Sequence, residues 1–124
     1  MPERPVYLNP LRIHLPVSGW VSILHRISGG LLFLAVPFGV WGLSQSLSDE
    51  AGFNRVADWL GHPLGKLVLL ILIWAFAHHL FAGLRHLALD AHWGLDLKHA
   101  RRSSIAVLLA SVLVALLFAG KLFT

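Results

Sequence analysis

His79, Gly83, His86 and Asp90 stand at i, i+4, i+7 and i+11 in the stretch from Ala77 to Asp90. On a helix that spacing makes one face. An imidazole nitrogen can ligate iron, and a glycine one turn away leaves a notch for something flat. The combination suits a haem. His79 would reach the iron, the macrocycle would lie against Gly83, and His86 with its neighbour Arg85 would offer donors to the propionates about 10 Å further along. The chain has no cysteine, so disulfides, iron–sulfur ligation and thioether attachment of haem are excluded, and any haem is held non-covalently. His78 points about 100° away from His79; the alignment with Gly83 and His86 favours His79. The plainer alternative is that His79 simply hydrogen-bonds a neighbouring helix.

A second polar cluster precedes the first apolar run: Ser22-Ile23-Leu24-His25-Arg26-Ile27-Ser28-Gly29-Gly30. Ser22, Arg26 and Gly29 share a helix face, with His25 beside Ser22 at i+3. A quinone head group needs hydrogen-bond donors for its two carbonyl oxygens and an apolar slot for its tail, and Ser22 and Arg26 are donors of that kind. Two alternatives stay open. Arg26 alone reads equally as a cationic anchor that snorkels to lipid head groups, and Gly29-Gly30 as a helix-packing notch.

The elements that position these residues are long apolar runs. Of 124 residues, 56% are hydrophobic and 13% charged, against about 25% charged in a soluble domain. Charge-free stretches run from Ile27 to Ser48, from Leu67 to Leu84 and from Ser103 to Gly120. Each approaches the roughly 20 residues a helix needs to cross a hydrocarbon core. A soluble bundle would need a polar stripe on every helix, yet between Val107 and Phe118 Ser111 is the sole residue that is neither aliphatic nor aromatic. The reading is one domain of all-α class, an integral membrane three-helix bundle, with spans over roughly residues 18–47, 63–90 and 102–122. The first run is too long, and too far from the N-terminus, for a signal peptide. Asn9-Pro10 and Pro16 favour extended or turn backbone, Pro37 is expected to kink the first helix, and Phe53 to Leu60 forms an amphipathic piece suited to a membrane surface.

No phosphate loop or dinucleotide fingerprint is present. The net charge of +4 comes from residues that flank apolar runs, not from a basic stripe, so nucleic acid is excluded as a partner. A transporter or proton channel would need ionisable groups across the whole bilayer; here they stop within one half.

With both clusters in view, a resemblance emerges. Ser22-Ile23-Leu24-His25-Arg26-Ile27-Ser28-Gly29 resembles the S-x-x-H-R-x-S-G signature of the cytochrome b subunits of succinate dehydrogenase, respiratory complex II. His79-x-x-x-Gly83-x-Arg85-His86-x-x-x-Asp90 resembles that family's second signature, and Arg4-Pro5-Val6-Tyr7-Leu8 its usual start. The resemblance implies the larger of two membrane anchors, holding a flavoprotein and an iron–sulfur protein on the cytoplasmic face of a bacterial inner membrane. It implies that His79 is an axial ligand of haem b, that Ser22 and Arg26 contribute to the ubiquinone pocket, and that His25 and His86 lie near the haem propionates. Where relatives often carry tyrosine before the ligand, this chain has His78. Succinate oxidation would fall to the partner chains, so this subunit is non-catalytic alone. A haem-free structural anchor is the rival reading.

Depth adds one expectation. His79 lies six residues inside Arg85; the corresponding depths on the other spans, around Leu32 and Leu108, carry no histidine or methionine. A six-coordinate haem therefore needs its second ligand from another chain. Charge adds an orientation. Arg4, Arg12, Arg26, Arg85, Lys98, Arg101 and Arg102 lie on one side, and Arg55, Lys66 and Lys121 on the other. The excess predicts a cytoplasmic N-terminus and a periplasmic C-terminus. A compartment-sensitive reporter fused after Thr124 should be active in its periplasmic form; activity in the cytoplasmic form would refute the orientation.

Overall fold

The computed structural model describes residues 15–124. The N-terminal features read above, from Arg4 to Arg12, lie outside the described residues. The described chain is helical: α1 (Val17–Ser48), α2 (Glu50–Gly61), α3 (Pro63–Asp90) and α4 (Leu97–Leu122). Of these, α1, α3 and α4 are long and apolar enough to cross a membrane. The all-α class and the three spanning helices expected from the apolar runs are what the structure has.

Each helix end has a local cause. Pro16, extended at φ −63° and ψ 160°, precedes α1, and its carbonyl accepts from Gly19 N at 2.9 Å. The helix then runs unbroken through Pro37. That ring leaves the Phe33 carbonyl without its helical donor, a loss that membrane helices tolerate. Extended Asp49 separates α1 from α2, and its carboxylate accepts from Gly52 N to cap the second helix. A Cβ on Gly52 would strike the Gln45 carbonyl, so the corner requires glycine. The next corner is similar. His62 caps α3 by accepting from Leu64 N at 3.2 Å, Pro63 occupies the first turn, and a Cβ on Gly65 would collide with the Trp59 carbonyl. α2 is longer than the expected Phe53 to Leu60. It presents Phe53, Trp59 and Leu60 outward, and Trp59 stacks on Trp41 of α1 at 5.4 Å.

α3 ends in a Schellman motif: Trp93 N donates to Ala88 O and His92 N to Leu89 O. The left-handed residue this motif demands is His92, at φ 64°. Asp96 then caps α4, accepting from His99 N and, at 2.6 Å, from His99 Nδ1. This last hydrogen bond holds the Asp96 carboxyl below the usual carboxylate range, so the cap keeps its charge at neutral pH and is lost only as pH falls through that lowered pKa. Capping here lets α4 begin at Leu97, ahead of the apolar run that starts at Ser103.

α3 packs between α1 and α4. Its inward face carries Ala75, Ala77, His78 and Ala82; α4 contributes Ser104, Val107 and Ser111, and α1 Val21 and Ser28. These are small or polar residues, while Phe33, Phe38, Leu47, Leu113, Leu116 and Leu117 are exposed. The arrangement is a soluble protein's turned inside out. In lipid, apolar burial between helices contributes little, so close packing of small side chains and hydrogen bonds hold the bundle together.

The left-handed His92 yields a prediction. Glycine adopts that conformation without steric cost, so His92→Gly should stabilise the detergent-purified protein by about 1 kcal/mol. His92→Val should destabilise it. Denaturant titrations of the three proteins provide the check; equal midpoints would show that this turn is not where strain resides.

Candidate functional site: an oriented histidine between two helices

The site lies where α1 crosses α3. One helical turn before the sequence-singled His79, α3 buries small residues, which allows α1 to approach. The His79 ring reaches across to the α1 backbone. Its Nδ1 is 3.1 Å from the His25 carbonyl oxygen and 3.4 Å from Ser28 Oγ. A carbonyl can only accept, so Nδ1 carries the proton. The Ser28 hydroxyl proton is directed to the same carbonyl, at 2.9 Å, so Ser28 Oγ presents lone pairs to Nδ1 as well. In the neutral ring the remaining nitrogen, Nε2, therefore holds a free lone pair. It has no hydrogen-bond partner among the described residues. Metal-ligating histidines carry this signature: one nitrogen donates to a backbone carbonyl, which fixes tautomer and orientation, and the other is free for the metal.

His78 is the opposite case. It is fully buried. Nε2 lies 3.4 Å from the Val21 carbonyl on α1, and Nδ1 lies 3.4 Å from Ser111 Oγ on α4. Trp74 stacks on the ring at 5.3 Å. Both nitrogens are engaged between helices, so no nitrogen is free for iron. The inter-helix hydrogen bond that was the plainer alternative for His79 is present at both residues: His79 makes it with one nitrogen, whereas His78 uses both. His78 thus joins all three spans. Ser111, the lone polar residue of its apolar run, was the sequence signal for that partnership.

The other sequence candidates fall into two groups. His25 and Gly83 join His79. The His25 ring stacks on His79 with centroids 4.2 Å apart and planes 6° from parallel. A Cβ on Gly83 would lie 3.7 Å from His25 Nε2, so the notch that sequence reading reserved for a macrocycle has the His25 imidazole alongside it. Ser22, Arg26 and His86 are instead exposed. Ser22 and Arg26 have no hydrogen-bonding side-chain partner among the described residues. Arg85 turns away from His86 toward α4: Nε donates to Ser103 Oγ at 2.9 Å and Nη2 to the Ala100 carbonyl at 3.3 Å. It clasps the start of α4, a role sequence reading did not foresee because it depends on how the α3–α4 turn folds back. Ser28, present in the first motif, was missed as a partner of His79 for a related reason: only the crossing of α1 and α3 brings positions 51 residues apart into contact.

The donor set therefore fits a haem-type iron. One imidazole is presented with its tautomer fixed, and no acidic or thiolate cluster competes: among the described residues no group of three or more histidines, cysteines or carboxylates could hold a free metal ion. The His25 imidazole lies flat against His79 rather than across from Nε2, so it would not hold the same iron together with His79.

Comparison with known proteins identifies the family of the chain. A family model described as the succinate dehydrogenase/fumarate reductase transmembrane subunit matches residues 1–118. The succinate dehydrogenase cytochrome b556 subunit of Paracoccus denitrificans is 38% identical over 116 residues, which cover 93% of this chain and 88% of the relative. The subunit of the same name in Coxiella burnetii is 35% identical over 119 residues, covering 95% and 94%. The succinate dehydrogenase cytochrome b560 subunit of Reclinomonas americana is 35% identical over 103 residues, covering 78% and 71%. With the motifs in place on three spanning helices, the chain belongs to the family of succinate dehydrogenase/fumarate reductase transmembrane subunits.

Proposed function

We propose that this chain is the larger membrane anchor of a succinate–quinone oxidoreductase, that it ligates haem b through His79 Nε2, and that Ser22 and Arg26 help bind ubiquinone. The observation that carries the reading is the His79 tautomer, with Nδ1–H held by the His25 carbonyl and Nε2 left for iron. The b-type cytochrome names of the relatives support it. Haem supplies reversible one-electron storage beside the quinone.

The flavoprotein and iron–sulfur subunits would carry succinate oxidation, since this chain has no cysteine for clusters and no nucleotide fingerprint. They would sit on the cytoplasmic side, where the lysine and arginine excess places the start of α1 and the α3–α4 turn. A second histidine to hold the haem would come from the smaller anchor, since the depth argument and the stacking of His25 leave no further candidate among the described residues. Held by one histidine from each anchor, the haem would supply electron transfer rather than oxygen chemistry.

At the quinone, Ser22 and Arg26 act as donors from one outward face of α1. The hydroxyl and guanidinium donate to a carbonyl oxygen, and the guanidinium charge stabilises the negative charge that builds there as electrons arrive. Both side chains being exposed in the isolated chain is what a pocket completed by partner subunits requires.

Two measurements test the reading. In the complex purified from membranes, His79→Ala should abolish the low-spin haem b spectrum, whereas His78→Ala should keep it and instead lower thermal stability, by about 1–2 kcal/mol for lost inter-helix hydrogen bonds and packing. Retention of the spectrum in His79→Ala would refute the ligand assignment. Arg26→Leu should lower quinone reduction by about 100-fold, as when one preorganised donor to a developing oxyanion is removed, while reduction of an artificial dye upstream is unchanged. Equal loss in both assays would point to faulty assembly and defeat the quinone assignment.

A further inference from the structure

We propose that Gly29 is a positioning residue for the iron ligand: its missing side chain is the space into which the edge of the His79 ring fits, and that fit aims Nε2. The inference rests on the reading of His79 as the axial ligand. A Cβ built on Gly29 would lie 2.9 Å from His79 Cε1, 3.3 Å from Nδ1 and 3.9 Å from Nε2. Three consecutive ring atoms thus line up over one α-carbon of α1. The same ring is held at Nδ1 by the His25 carbonyl and Ser28, and on its face by the His25 imidazole. Three contacts from one turn of α1 confine it.

The magnitude matters. Ordinary contact at a Cβ begins near 3.4 Å, so an alanine methyl here would drive Cε1 back by about half an ångström. Cε1 is bonded to both ring nitrogens, so it cannot move without moving Nε2. Coordination distances at a well-formed metal site hold to about 0.2 Å. The displacement exceeds that tolerance, and the ring has no free side toward α1 in which to absorb it.

Gly30 is the internal control. It follows Gly29 directly, yet a Cβ there would meet nothing within 4 Å. Both glycines sit inside α1, where alanine is the better helix former. An alanine at either position brings the same gain in helix propensity, and only one of them touches the ligand.

The test uses the complex copurified from native membranes, with Gly29→Ala, Gly30→Ala and His79→Ala. Gly29→Ala should release haem to an apo-globin scavenger about 10–100-fold faster than the parent, the range seen when groups supporting a ligand are altered. Its low-spin electron paramagnetic resonance signal should shift. Gly30→Ala should match the parent in both readouts. A parental signal and release rate in Gly29→Ala, or the same change in Gly30→Ala, overturns the proposal. Loss of haem from His79→Ala alongside a parental Gly29→Ala would defeat only the positioning role; retention of low-spin haem in His79→Ala would defeat the underlying ligand assignment. Should Gly29→Ala fail to assemble, the double variant with His79→Ala decides. Removing the ring removes the clash, so recovered assembly supports the proposal and continued failure overturns it.

Discussion

The approach of α1 to α3 at His79 is the contact on which the site depends. Inside a bilayer no water is present to satisfy a ring N–H, and an unsatisfied polar group there is costly. His79 meets the requirement by donating to the His25 carbonyl. That carbonyl can be reached only if the two helices lie close, and at Gly29 there is no side chain under the ring to hold them apart. Satisfying one proton thereby sets the depth of α1 against α3, the tautomer of His79 and the availability of its other nitrogen. A constraint imposed by the solvent becomes the orientation of an imidazole.

The adjacent histidine shows how a single step along a helix changes the surroundings of an imidazole. His78 and His79 differ by about 100° of helical rotation. That rotation sends His78 into the seam of all three spans, where Val21 and Ser111 engage both nitrogens, and leaves His79 at the edge of the seam, half-buried. The bundle's core is made of alanine, serine, valine and this one imidazole. Its large apolar side chains face outward. In lipid the fold is stabilised by proximity and by hydrogen bonds that the surroundings cannot replace.

Ser22, Arg26 and Gly29 share one face of α1. On that face the Ser22 and Arg26 side chains are exposed, whereas Gly29, one turn beyond Arg26, lies against the His79 ring. The proposed quinone donors and the contact with His79 are thus neighbours on one side of the helix. Arg85 shows that proximity in sequence to a site does not place a side chain in it: its guanidinium is drawn to Ser103 and the Ala100 carbonyl because the capped turn from Ala91 to Asp96 folds α4 back over it.

What was legible in the sequence follows from composition and period. Apolar runs of bilayer length determine three helices, because lipid admits no other open-ended structure. The spacing of His79, Gly83 and His86 determines a shared face, because helical rotation is fixed at each residue. His78 stands about 100° away from that face. What tertiary structure decided is which atoms those faces meet. The partner of His79 is a backbone carbonyl, and backbone carbonyls look alike in any sequence; the partner of His78 is a serine 33 residues away. Gly29 and Gly30 are indistinguishable as letters, and only the crossing point of two helices places a ring over one and nothing near the other. Periodicity sets direction along and around a helix, whereas the depth at which one helix crosses another is set by contacts between residues far apart in the chain.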